Sequence, residues 1–172
     1  ITLKSTRPVA GGGGLLKVSS GGRAVVKDVI IDGGVALSGD GGAIAVLQNS
    51  VFDGSNLEIK NSVAQAGDGG ALSCSGTGAV CSLSGRILFS GSVAAHGRGG
   101  AIAVKAGGVL TVSTYTAQLT GNSALEGGAL SVSAGASLNV VGEMQISKNQ
   151  ARRGGGMFIQ EGTVDGLSLI HI

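Results

Sequence analysis

The sequence has no tryptophan, one tyrosine, three phenylalanines, a single proline and two cysteines among its 172 residues. Two cysteines, Cys74 and Cys81, are too few for a disulfide framework or a zinc site. The lone Pro8 excludes collagen, which needs abundant proline and glycine at every third position. Charge is scarce as well: charged residues are 13% of the chain, about half the usual share, and the net charge is +2. The basic residues Lys4, Arg7, Lys17, Arg23 and Lys27 are offset by later acids and lack any stacking platform, so nucleic acid is not an expected partner. No apolar run approaches the roughly 18–20 residues of a spanning helix, so this segment is not expected to insert into a membrane.

What is abundant is small. Glycine alone contributes 34 residues, and alanine and serine follow. No stretch free of glycine exceeds twelve residues, Val109–Thr120 being one of them. Interior glycines cost a helix roughly 0.8–1 kcal/mol each, so a helical bundle is excluded. Disorder is excluded too, because 42% of the chain is hydrophobic and its net charge is low.

The glycines are periodic. Gly41-Gly42-Ala43-Ile44, Gly69-Gly70-Ala71-Leu72, Gly99-Gly100-Ala101-Ile102 and Gly127-Gly128-Ala129-Leu130 are copies of one signal. Looser copies start at Gly13 and Gly154, which gives spacings of 28, 28, 30, 28 and 27 residues. Superposing the copies exposes three alternating segments per repeat. The first pairs Leu16/Val18, Ile44/Val46, Leu72/Cys74, Ile102/Val104, Leu130/Val132 and Met157/Ile159. The second pairs Ala24/Val26, Val80/Ser82, Leu110/Val112 and Leu138/Val140, with Phe52/Gly54 a poor copy. The third pairs Ile1/Leu3, Val29/Ile31, Leu57/Ile59, Ile87/Phe89, Ala117/Leu119 and Met144/Ile146.

Alternation with period two is strand behaviour with one face buried. A single coil of three short strands cannot bury that face; stacked coils can, about 4.8 Å apart, by lining up their apolar columns. The sequence therefore predicts an all-β, right-handed parallel β-helix of about six coils of about 28 residues. Residues 1–166 form one repeat domain that begins inside a coil. The tail 167–172 (Leu-Ser-Leu-Ile-His-Ile) fits no column and reads as a non-native addition. Uncapped coils at both ends would allow end-to-end stacking.

Each third segment runs into an apolar-x-x-Asn-like step, then an alanine, then the Gly-Gly pair. The copies are Ile59-Lys60-Asn61-Ser62-Val63-Ala64, Leu119-Thr120-Gly121-Asn122-Ser123-Ala124 and Ile146-Ser147-Lys148-Asn149-Gln150-Ala151. This pattern resembles the FxxN and GGA(I/L/V) repeats of the chlamydial polymorphic membrane protein family over nearly the whole chain. Only Phe89 supplies the phenylalanine, and only Asn122 and Asn149 supply the asparagine. The resemblance implies an extracellular or outer-membrane-associated β-helical passenger used in adhesion, with a host or cell-surface protein or glycan as partner.

Candidate chemistry is sparse. The residue before each Gly-Gly forms a column of Gly12, Asp40, Asp68, Arg98, Glu126 and Arg153. Asp40 and Asp68, about one coil apart, are the one candidate pair for a cation. The reading preferred here is a charge ladder in which Arg98 bridges Asp68 and Glu126, with no catalytic residue, metal or cofactor assigned. Cys74 is placed inward and Cys81 outward; a disulfide across their turn stays open beside the preferred pair of free thiols. His96 is a loop residue with no nucleophile to activate. The column Ala45, Ser73, Ala103 and Ser131 reads as exposed; a flat binding strip stays open beside the preferred reading, simple tolerance for small residues on a tightly stacked face. These features point to a non-enzymatic stalk or adhesin segment. The alternative is a fragment of a carbohydrate-active β-helix enzyme, a polysaccharide lyase or glycoside hydrolase built on the Asp40, Asp68 and Arg98 column.

Overall fold

The computed structural model describes residues 1–166 and 168–171. Among the described residues every regular element is a strand, every strand pairing is parallel, and the chain winds into a β-solenoid of about six turns. The short strands Leu16–Val18, Ile44–Val46, Leu72–Ser75, Ile102–Lys105, Leu130–Ser133 and Met157–Gln160 stack in order as one six-stranded sheet. The register superposes Leu16, Ile44, Leu72, Ile102, Leu130 and Met157 in a single column. The second and third segments run on as one long strand per coil: Arg23–Ala36, Val51–Lys60, Val80–Ser90, Val109–Thr120 and Ser137–Ser147. Thr2–Val9 extends this second sheet at one end and Thr163–Asp165 at the other. Very short strands, Val63–Ala64, Val93–Arg98 and Ser123–Glu126, complete the circuit back to each Gly-Gly.

Ile44, Leu72, Ile102 and Leu130 are at most 1% exposed, as are Leu57, Ile59, Ile87, Phe89 and Leu119. Burying one such side chain contributes about 1.5–3 kcal/mol, and the columns repeat it coil after coil. Polar groups inside the turns are bonded along the same axis. Asn122 Oδ1 accepts the Ser92 N–H at 2.9 Å, and Asn149 Oδ1 accepts the Asn122 N–H at 2.9 Å. Asn122 Nδ2 donates to Phe89 O at 3.2 Å. The asparagine step is thus a ladder, buried at Asn122 and half-buried at Asn149, that satisfies backbone amides where the strand ends.

The corner between the second and third segments needs left-handed backbone, with φ of 56° at Asp28, 49° at Asn56 and 69° at Gly85. Asp, Asn and Gly tolerate that region best. Here the side chains also link coils: Asn56 Nδ2 donates to Asp28 Oδ1 at 2.8 Å, and Asn56 Oδ1 accepts the Arg86 N–H at 3.0 Å.

Four readings of the sequence are corrected or refined. The column Ala45, Ser73, Ala103 and Ser131 is not exposed, at most 2% in each case. The Gly-Gly turn ahead of each strand packs against this outer face: a Cβ on Gly13 would lie 3.1 Å from Lys17 Cβ, and one on Gly127 3.2 Å from Phe158 Cβ. The four central positions are thus covered and offer no flat strip, while the ends of the same column carry the large side chains Lys17 and Phe158. Cys81, not Val80, faces inward, in register with Phe52 and Leu110. The turn Ser75–Ala79 holds one residue more than its equivalents, which displaces the apparent alternation by one. Phe52/Gly54 is a true copy of the second segment, with Gly54 over Leu83. Ser168–His171 also has a column: it pairs with Glu143–Ile146 in the third-segment register. Leu167 and Ile172, the ends of that six-residue tail, lie outside the described residues.

Candidate functional site

The column before Gly-Gly forms as expected. The carbonyls of Asp40, Asp68, Arg98, Glu126 and Arg153 each accept the N–H of the first glycine one coil away, at 2.8–2.9 Å. Its side chains are occupied. Asp40 Oδ1 accepts the Asp68 N–H at 2.9 Å, and Asp68 Oδ1 accepts the Arg98 N–H at 2.7 Å. Lys105 joins the two, its Nζ lying 3.0 Å from Asp40 Oδ1 and 2.7 Å from Asp68 Oδ2. The candidate cation pair therefore already holds a cation, an ammonium reaching across two coils. Sequence reading missed Lys105. The available signal was a lysine at the end of a short strand whose neighbour in register is Ser75.

Further along, Glu126 takes two arginines: Arg98 Nε lies 2.7 Å from Oε2, and Arg153 Nη2 pairs with Oε1. The Arg98 contact is charge pairing without hydrogen-bond alignment, since Oε2 accepts no hydrogen bond. Both guanidinium carbons sit within 6 Å of the Phe158 ring centroid, at 5.6 and 5.7 Å, a distance at which the ring face attracts cations. Arg98 thus reaches Asp68 by its backbone and Glu126 by its side chain, a different bridge from the one expected.

The strand before this column shortens from Val93–Arg98 to Ser123–Glu126, with Ala124 paired to Ala94 and Glu126 to Arg98, and His96, expected in a loop, lies within the longer strand. The step leaves a shallow cleft of about 340 Å³ lined by His96, Arg98, Leu125, Glu126, Arg152 and Arg153, with Asp68 at its edge. His96 Nδ1–H donates to Gln65 O at 2.7 Å, which fixes the ring against the neighbouring coil. No group of three His, Cys, Asp or Glu is positioned to hold a metal ion among the described residues. Cys74 and Cys81 are both free and buried. Burial, foremost, and then the hydrogen bond and charge of Cys74 and the charge of Asp53 push the Cys81 thiol well up. It packs as a neutral, unreactive group at neutral pH.

Burial of the Lys105 ammonium acts to lower its pKa, but the Asp68 hydrogen bond and the charges of Asp40 and Asp68 outweigh burial and raise it. A raised folded-state pKa means the contribution is fully present below the unfolded value, about 10.4, and is lost as pH rises through the folded one. Lys105→Met is expected to cost about 1–3 kcal/mol at pH 7 by stranding two partly buried carboxylates. The stability difference between wild type and K105M, followed by urea melts from pH 7 to 11.5, should shrink above about pH 10.4. A difference that stays flat would show that the ammonium contributes packing and not charge.

No protein-family model, curated protein or solved structure matches this chain.

Proposed function

We propose that this chain is a non-enzymatic β-solenoid segment of a surface-exposed or secreted protein, a stalk or adhesin passenger. The observation that carries the reading is that the column's acids are spent on neighbouring coils. Asp40 Oδ1 and both Asp68 oxygens are engaged by backbone N–H groups and by Lys105, and Glu126 is paired with two arginines. A general base or a metal-binding carboxylate needs free lone pairs directed at a substrate; these point along the solenoid wall. Their work is to fix the coil-to-coil register.

The alternative, a fragment of a polysaccharide lyase or glycoside hydrolase, draws on the Arg98, Arg152 and Arg153 cleft beside Asp68, where an acidic sugar would find cations. One experiment separates the two. Wild type and Asp68→Ala are incubated with polygalacturonate, alginate and heparin, and the release of unsaturated or reducing ends is followed. The expected result is no release by either protein, with D68A melting at lower urea. Release by wild type that D68A abolishes would establish the enzyme reading instead.

A further inference from the structure

Tyr115 is the only tyrosine of the chain and is 99% exposed, whereas Phe52 and Phe89 are fully buried. Its position is an insertion. Thr114 pairs with Gly142 and Thr116 with Glu143, so Tyr115 is passed over by the ladder and stands out of the wall on a bulge. On the preceding coil, the three residues Thr114–Thr116 face only Gly85 and Arg86. Bulges of this kind re-aim a side chain. A cleft lies on each side of the ring. One, of about 540 Å³, is floored by Val141 (65% exposed) and Gly142 and edged by Ser113 and Glu143; the other, of about 360 Å³, is edged by Arg86 and Thr116.

We propose that Tyr115 is the stacking platform of a saccharide site that takes an uncharged oligosaccharide astride the bulge. An aromatic ring open to solvent, with a small apolar floor and hydroxyl and charged groups around it, matches the alternating C–H faces and O–H rims of a sugar. Other occupants fit less well. Val109–Thr120 is paired on both sides, by Val80–Ser90 and Ser137–Ser147, so no free strand edge is left for a peptide to extend. Arg86 and Glu143 flank the ring with opposite charges, which gives a polyanion no net attraction. The proposal names the ligand class for the adhesin half of the reading above and rests on that half.

Because the chain has one tyrosine and no tryptophan, tyrosine emission reports on this site alone. Wild type is titrated with uncharged hexasaccharides of glucose, mannose, galactose and N-acetylglucosamine, by emission and by calorimetry, with polygalacturonate as the charged arm. At least one neutral hexasaccharide should bind and change the emission. Tyr115→Ala should weaken that binding at least about tenfold, the scale of a lost anchor residue, and Tyr115→Phe should keep it within about threefold. The side chain touches solvent on all sides, so circular dichroism of both variants should match wild type. Absence of binding by every neutral hexasaccharide, equal binding by Y115A, or a larger change of tyrosine emission with polygalacturonate than with any neutral hexasaccharide would each overturn the proposal. None of these outcomes bears on whether the protein is an enzyme, which the end-release assay decides.

Discussion

Alanine at Gly100 is expected to destabilise the protein by about 3–5 kcal/mol, while alanine at Gly11 should be neutral or stabilise it by up to about 1 kcal/mol. Gly100 is the second glycine of a Gly-Gly turn and Gly11 lies two residues ahead of another, and neither effect depends on left-handed backbone. The difference is what a Cβ would meet. At Gly100 it would overlap Gly128 O and both the amide nitrogen and the carbonyl of Ser123, all main-chain atoms of the adjoining coil. Main chain locked in a ladder cannot yield as a side-chain tip can, so the coils would have to part. At Gly11 nothing lies within 4 Å, and alanine there only reduces the freedom of the unfolded chain. Urea midpoints with their slopes measure both. A Gly100→Ala midpoint within about 0.5 kcal/mol of wild type would show that the coils do not stack as closely as described.

The second large effect sits in the core at Phe52. Phe52→Ala should cost about 3–5 kcal/mol, as for other buried phenylalanines. More informative is its partner two residues on. A Cβ at Gly54 would lie 3.0 Å from Phe52 Cε1, 3.1 Å from Leu83 Cδ2 and 3.2 Å from Leu57 Cδ2. The ring thus occupies the volume that the side chain at 54 would fill, one large residue and one empty one in place of two of middle size. Gly54→Ala alone should cost about 1–3 kcal/mol by overpacking. Combined with Phe52→Leu, it should cost less than the sum of the single changes by about 0.5–3 kcal/mol. Additivity of the two changes in urea melts would mean that they do not share the space.

This pair also shows how far the sequence could be read. The first and third columns were legible because their alternation is uninterrupted and the Gly-Gly signal fixes their phase. The second was misread twice, for different physical reasons. At Phe52/Gly54, volume is traded along the strand, so a hydrophobic template sees a defect where the core sees a match. At Val80–Ser82, one additional turn residue moved the phase, and a one-residue slip exchanges the two faces of a strand. The buried Ala/Ser column was mistaken for surface because alternation tells which residues share a face, not what lies over it. In the charged column, Asp40, Asp68, Arg98, Glu126 and Arg153 were legible, being tied to the repeat. Lys105 was not, because it reaches Asp40 from 65 positions away, along a stacking direction that linear spacing does not display. Tyr115 was passed over as well; as the sole tyrosine, within one of the longest glycine-free stretches, it was visible, but its exposure depends on a bulge that only pairing reveals.

All the main-chain bonds between coils run along the solenoid axis, each strand bonded to its counterpart in the next winding. A load that separates the two ends therefore pulls those bonds directly apart instead of sliding strands past one another. It is borne by the terminal winding first, and each winding that lets go passes the load to the next. Under tension such a rod pays out its chain in steps of about 28 residues, yielding gradually at modest force, whereas under compression or bending its close-packed interior resists as a unit.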